Sequence, residues 1–312
     1  MITLNTEKGL VRIESWEEIT DRPGFVANLD PVTVELEAII GSYLFKDHVK
    51  CGLSSCHQPH GRGYLVTTKD GPETNIGKDC GKKHFSVDFE TMRKAYERDF
   101  QNKEWREQLE TLQGRIPSYL DAIKLIRAGN TGADSLYTSL QSMTTRGKGA
   151  PEIVVEELSK MAKARNGRIT RQRQATSLEI ENLEAIQAKE VRRPHYIEEE
   201  IGNMAGISAL YPEHNLRELL VLDVTKGLER IQQLDILSLS EGELRLHSKW
   251  ASGLDAKLKT AKQAVREAKI FLSSSNLSKL DVLIREKEDK RSFSKFLTQM
   301  RHRLEDEITL VS

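Results

Sequence analysis

All three cysteines of the chain lie in one short stretch of the N-terminal part, at Cys51, Cys56 and Cys80. Four of the eight histidines lie in or beside this stretch: His48, His57, His60 and His84. An odd number of clustered cysteines indicates metal ligation in a reducing compartment, because these residues cannot all pair as disulfides. This cluster constrains the fold of the N-terminal region more than any other feature.

The residues between the cysteines predict a turn, a β-hairpin and a helix. Tyr64–Thr68 has strand character, Asp70-Gly71 is a turn signal, and Thr74–Ile76 can form the returning strand. Gly77–Asp79 then leads into a helix. A metal site in this region would therefore be held by a turn on one side of the hairpin and a helix on the other.

Four residues have the spacing of metal ligands. Cys80 and His84 lie four positions apart on the predicted helix, which places both side chains on one helical face. They can close on one ion together with Cys51 and Cys56 from the turn. His57 and His60 are alternatives to His84 for the fourth position. Soft thiolates with imidazole suit zinc, and four protein ligands predict one structural Zn²⁺ per chain.

The order of turn pair, hairpin and helix pair resembles the treble-clef zinc fingers. The segment IGKDCGKKHF is similar to the helix start of many small zinc modules in viral and prophage proteins. The resemblance covers residues 51–85 only. It departs from the family in the turn, where four residues, Gly52 to Ser55, separate the first two ligands instead of the usual two.

Composition and charge describe the rest of the chain. Of its 312 residues, 38% are hydrophobic and 30% are charged, a balance that favours elongated helical structure with much exposed surface. Lysine plus arginine equals aspartate plus glutamate, 47 each, so nucleic-acid binding would need a local patch. The N-terminus resembles no signal peptide and no apolar run is long enough to span a membrane, which predicts a cytoplasmic protein without membrane contact.

Residues 1 to about 50 are predicted to form a small α/β structure. Leu10–Ile13 has strand character, and Ser15 with Glu18 forms a capping box for a short helix. The apolar residues of Leu36–Leu44 fit a helical face or a strand, and the pattern does not decide between them.

The chain beyond His84 is predicted to be helical. An apolar stripe from Phe85 through Phe100 to Ile116 predicts one long helix, interrupted at Gly114 and Pro117. Glu152–Ala164 is a further helix after Pro151. The predicted fold class is mainly α, with a small N-terminal α+β zinc module followed by a helical, coiled-coil body. The predicted domains are 1–88, 89–193 and 194–312.

A sustained apolar seam runs from Leu244 to Leu272 at steps of three and four. We predict that it is a coiled-coil seam that needs a partner helix. Short connecting loops favour an internal helical bundle over a homodimer.

One segment is strongly basic, with no acidic residue between Glu157 and Glu179. Its cations could contact phosphates, although a solvated helix end and loop is the plainer interpretation. The candidate nucleic-acid-binding residues are Lys82, Lys83, Arg165, Arg168, Arg171 and Arg173.

Three classes of function follow from these features. The leading hypothesis is a non-enzymatic nucleic-acid- or protein-binding protein with a zinc head on a helical scaffold, in a phage or bacterial defence context. The second is an HNH-like nuclease, whose family resemblance implies a general base at His60, water orientation by Asn75 and a catalytic Mg²⁺ on His84. The third is a structural or assembly protein in which zinc only stabilises the fold.

Overall fold

The computed structural model describes residues 1–305. The chain divides into two units by its internal contacts. The first unit comprises Met1–Leu112 and Asp235–Ala251, and the second comprises Gln113–Leu234 and the described residues from Ser252 onward. The fold is mainly helical with a small antiparallel sheet, in agreement with the predicted class. The three predicted domains stay a prediction.

Most of the described strands lie in the N-terminal part of the chain, and most of the later elements are helices. The strands are β1 Ile2–Thr6, β2 Gly9–Ile13, β3 Leu36–Lys50, β4 Pro59–Thr68, β5 Glu73–Gly77, β6 Arg168–Gln174 and β7 Tyr196–Asn203. The α-helices are α1 Glu17–Thr20, α2 Lys78–Arg127, α3 Ala133–Thr144, α4 Glu152–Ala164, α5 Ser177–Gln187, α6 Lys226–Gln232, α7 Glu241–Ser252, α8 Leu254–Phe271, α9 Ser274–Leu277 and α10 Lys287–Glu305. None of the described helices is both long enough and apolar enough to cross a membrane.

The first unit is built on a five-stranded antiparallel sheet in the order β2-β1-β3-β4-β5. The segment that the sequence left undecided is a strand, because β3 pairs with β1 on one side and with β4 on the other. The predicted hairpin is present as β4 and β5, where Tyr64 lies opposite Ile76. The predicted capping box is also present, since the Glu18 backbone N–H donates to Ser15 Oγ at 3.3 Å.

Each face of this sheet carries its own apolar cluster. Successive residues of β4 point to opposite faces, so Tyr64 and Val66 lie on one side and Leu65 on the other. Helix α2 covers the first face with Phe89, whose side chain is completely buried. The short helix α1 covers the second face with Ile19. Because both faces are covered, the sheet can support a loop at its edge that is too small to fold alone.

Helix α2 departs from the predicted long helix in two ways. Ser86 has non-helical backbone angles, φ 46° and ψ −125°, which separate a first segment of two turns from the rest. The predicted interruption at Gly114 and Pro117 is wrong, because the helix continues through Pro117 to Arg127. Its buried face includes Ile116 and Ile123, and this packing outweighs the hydrogen bond that the proline cannot donate.

In the second unit, residues 216–231 have one buried apolar face. Its five members are buried: Leu216, Leu220, Val224, Leu228 and Ile231. The backbone differs from a regular α-helix, because Glu218–Thr225 forms a π-helix before α6. Thr225 Oγ1 donates to the Leu220 carbonyl at 2.6 Å, a side-chain bond that spans the wider π turn.

The apolar seam is divided between two helices, with Gly253 between α7 and α8. Five seam residues are buried within the chain: Leu244, Leu254, Ala261, Ala268 and Leu272. Helix α8 packs against α3 and against the short helical segments Ile207–Leu210 and Glu218–Thr225. No coiled coil is shown for the seam, and the choice between an internal bundle and a homodimer stays a prediction.

Candidate metal centre

The loop after β3 presents two of the cysteines. The Cys51 backbone N–H donates to the Gln58 carbonyl at 3.1 Å, and the Cys56 N–H donates to the Leu53 carbonyl at 3.0 Å. Leu53 is completely buried and anchors the loop in the core. The result is a closed loop that holds both sulfurs on one side.

Glycine at position 52 lets this loop approach the hairpin. The Gly52 N–H donates to the Asn75 carbonyl of β5 at 2.8 Å. A side chain at this position would collide with the side chains of Thr74 and Asn75, both of which are buried. We infer that the close approach of loop and hairpin requires the glycine.

The three cysteine sulfurs come together at this edge of the sheet. They all lie within 4.8 Å of one another, and Cys56 Sγ is 3.1 Å from Cys80 Sγ. All three cysteines are free. Sulfurs that share one tetrahedral zinc ion at the usual bond length stand roughly 3.8 Å apart. The donor set and its spacing therefore fit a metal ion.

The electrostatics of the cluster favour a bound cation. Burial, together with the neighbouring Cys56 and Cys51, raises the pKa of Cys80 to about 12. Burial also raises the pKa of Cys51, although the backbone of Leu53 and Gly77 hydrogen-bonds to its sulfur and opposes this rise. Three thiolates this close repel one another unless a positive ion compensates their charge.

The pKa of Cys56 is shifted the other way. Burial would raise it, but the hydrogen bond with Cys80 and a further one from the Gln58 backbone lower it below its usual value. The positive charge of Lys83 also lowers it. Cys56 is therefore the sulfur that most readily becomes a thiolate in the free protein.

The predicted histidine ligand lies beside the cluster but outside it. His84 Nε2 is 3.5 Å from Oγ of Ser55, the residue before Cys56. The group that could hold a metal consists of the cysteines alone within the described residues. His57 is exposed, with a left-handed backbone of φ 54°. The structure thus brings three of the four predicted ligands together, and the fourth ligand stays a prediction.

His60 takes part in a different network. Its Nε2 lies 2.5 Å from the hydroxyl of Tyr43, and its Nδ1 lies 3.1 Å from the Gln58 carbonyl. The Asn75 amide donates to the same Tyr43 hydroxyl at 3.1 Å. Burial raises the pKa of Tyr43, so its hydroxyl stays protonated and donates to His60. This network supports the cysteine loop through Gln58.

The network also bears on the nuclease hypothesis. Both ring nitrogens of His60 are occupied by internal partners, and Asn75 is buried with its amide donating to the Lys50 carbonyl at 2.8 Å. These hydrogen bonds hold the loop in place, and the nuclease hypothesis stays a prediction. Sequence reasoning missed the role of Tyr43, because nothing in the sequence links it to residues so far along the chain.

The predicted basic segment forms β6 and part of its surroundings, and its arginines face glutamates. Arg171 pairs with Glu199 at 2.8 Å and Arg168 pairs with Glu200 at 3.4 Å across the two-stranded sheet of β6 and β7. Arg165 pairs at 2.8 Å with Glu213. Each glutamate compensates one positive charge, which reduces the net attraction of this segment for a phosphate backbone.

The fourth arginine of the segment gives a pH-dependent prediction. Arg173 donates to Glu179 at 2.7 Å, and this hydrogen bond, together with those from the backbone and hydroxyl of Thr176, lowers the pKa of Glu179 to about 2. A depressed folded-state pKa stabilises the protein above the unfolded pKa of about 4.3, and this stabilisation is lost as pH falls toward 2. We expect Glu179→Gln to melt lower than the wild type at pH 7, with a difference that shrinks toward pH 3. Melting temperatures across this range test it, and a difference that is constant with pH would contradict it.

The two predicted lysines differ from the arginines. Lys82 and Lys83 are exposed on the first segment of α2, next to Cys80. Lys50 and Lys78 are exposed nearby in sequence. None of these four lysines forms an ion pair with any residue that the structure describes. Lys82 and Lys83 therefore place unpaired positive charge next to the cysteine cluster.

No protein-family model, no curated protein and no solved structure matches this chain.

Proposed function

We propose that Cys51, Cys56 and Cys80 hold one structural zinc ion in the first unit. The observation that carries this proposal is the approach of three free thiols to within 4.8 Å of one another. His84 is the fourth ligand in this proposal. It lies one helical turn after Cys80, and its Nε2 already contacts the loop that carries Cys56.

The order of elements around the cluster supports a treble-clef-like module. A loop with two cysteines is followed by the β4–β5 hairpin and then by a helix that carries the third. The bound ion would connect the loop to the helix and stabilise both. A closed set of four protein ligands leaves no position for a substrate, so the proposed role of zinc is structural.

We further propose that this module is a non-enzymatic head that binds nucleic acid. The support is the distribution of charge, because the arginines of β6 are neutralised whereas Lys82 and Lys83 are not. Lysines without internal partners can release counterions from a phosphate backbone, which is the sequence-independent part of nucleic-acid affinity.

A mobility-shift series with single- and double-stranded oligonucleotides at increasing salt tests this binding. We expect Lys82→Glu/Lys83→Glu to weaken binding and to reduce the slope of log affinity against log salt by roughly two, one for each lost phosphate contact. Arg168→Gln/Arg171→Gln is the matched control and should leave the slope unchanged, since those arginines are already paired.

Two outcomes would overturn the binding proposal. Equal effects of the lysine and arginine variants would show that the lysines have no special role. If no oligonucleotide binds at low salt, the binding proposal is wrong. Zinc would then only stabilise the fold, and the helical part of the chain would serve in protein assembly. Neither outcome affects the metal proposal, which is tested separately by elemental analysis of the purified chain.

A further inference from the structure

The second unit contains a groove of about 500 Å³ that is unrelated to the metal centre. It lies between α3, α4 and the segment from Ala209 to Leu216. Sites for small organic ligands usually have volumes of about 300 to 1,000 Å³. The groove therefore has the size of a binding site for a small molecule.

The groove has an apolar floor. Its buried lining residues are Leu140, Leu158, Ala209 and Leu216. Leu158 is completely buried, so the floor is part of the core of this unit and not a loose surface depression. A floor of this kind favours a ligand with an apolar body, because the burial of apolar surface is the main favourable term.

The rim of the groove is positively charged. Lys163 and Arg165 line it, and Glu213, which pairs with Arg165, compensates one of these two positive charges without being a lining residue. Lys163 makes no ion pair within the described part of the chain. The rim therefore complements a negatively charged head group.

Arg165 is held in a fixed position at the rim. Its guanidinium lies over the ring of Tyr211 at 4.6 Å from the ring centroid, and one of its nitrogens binds Glu213 at 2.8 Å. The planar guanidinium has five N–H donors, so this single ion pair leaves others for a ligand. Because the Arg165 side chain is already held in place, it loses little conformational entropy when an anion binds.

The walls add two hydroxyl groups that can bind a ligand. Tyr137 and Ser159 line the groove, and their hydroxyls make no hydrogen bond with a described residue. Tyr137 is half-buried. Polar groups of this kind in an otherwise apolar groove orient a ligand.

We propose that this groove binds a small carboxylate with an apolar body. The apolar part lies above the buried floor, against the half-buried Leu210 and Tyr211 that also line the groove, and the carboxylate accepts hydrogen bonds from Lys163 and Arg165. This proposal does not depend on the zinc module or on nucleic-acid binding.

The test uses 4-phenylbutyrate as the probe and its uncharged amide, 4-phenylbutyramide, as the matched ligand. Calorimetric titration of the full chain should show one site per chain, with the carboxylate bound at least about fivefold more tightly than the amide. Lys163→Glu should weaken carboxylate binding by at least about fivefold and leave amide binding unchanged. Ala162→Trp should fill the groove and abolish the binding of both compounds.

Lys160→Glu is the control, because Lys160 is exposed on the same helix and does not line the groove. It should bind both compounds like the wild type. Melting temperatures of all variants show whether a loss of binding reflects unfolding. The proposal is overturned if millimolar 4-phenylbutyrate gives no binding heat, if acid and amide bind equally, or if the Lys160 and Lys163 variants behave alike.

Discussion

Cys80→Ser is expected to remove the metal from the first unit and to unfold the cysteine loop together with the sheet edge that it covers. Structural zinc sites contribute about 10 to 16 kcal/mol of apparent binding free energy. A whole domain is stable by about 5 to 15 kcal/mol, so the unit cannot absorb this loss. Elemental analysis of reduced protein should fall from one zinc per chain to none, and thermal melting should lose the transition of this unit.

Lys82→Gln is the control for this variant, because it lies on the same short segment of α2 and is exposed. It should keep the metal and the melting transition. His84→Ala distinguishes the fourth ligand: it should lower zinc affinity sharply, whereas His57→Ala should not. Wild-type protein that carries no metal when freshly purified under reducing conditions would refute the zinc proposal.

Phe89→Ala is expected to have the second largest effect, a loss of about 3 to 5 kcal/mol in the free energy of unfolding. Phe89 is completely buried, and its ring meets that of Tyr64 edge-on, with centroids 5.9 Å apart. The ring also lies directly over Gly81, where an added Cβ would come within 2.5 Å of it. Removal of the ring would leave a cavity between the sheet and the segment that carries Cys80.

Urea unfolding of the zinc-loaded protein measures this loss as a lower midpoint at an unchanged slope. Val87→Ala provides the control, since Val87 lies two residues earlier and is 75% exposed. It should change the free energy of unfolding by no more than about 0.5 kcal/mol. A loss below about 1 kcal/mol for Phe89→Ala would show that the site collapses around the missing ring.

The features that depend only on residues close together in the chain could be predicted from the sequence. The cysteine cluster, the β4–β5 hairpin and the capping box at Ser15 each arise from residues close together in the chain. Helix α4 has its predicted bounds, Glu152–Ala164, because Pro151 precedes it and Arg165 ends it in a left-handed conformation.

Contacts between distant residues could not be predicted in the same way. Arg171 and Glu199 lie far apart in the sequence, and only the antiparallel pairing of β6 with β7 makes them partners. A proline such as Pro117 usually ends a helix when only the neighbouring residues are considered. Its place inside α2 depends on tertiary packing instead. The Tyr43 hydroxyl reaches His60 because of strand pairing, which the undecided pattern of Leu36–Leu44 did not reveal.

The position of the three cysteines along the chain has a consequence for the order in which the first unit assembles. Cys51 and Cys80 are separated by a single hairpin, so closing this loop costs little entropy. The same unit also includes Asp235–Ala251, which joins it only after the intervening chain has folded back. Contacts between residues far apart in sequence form slowly. We therefore expect the proposed metal centre to form early in synthesis, once Cys80 and His84 have emerged, while completion of the unit waits for its last helix.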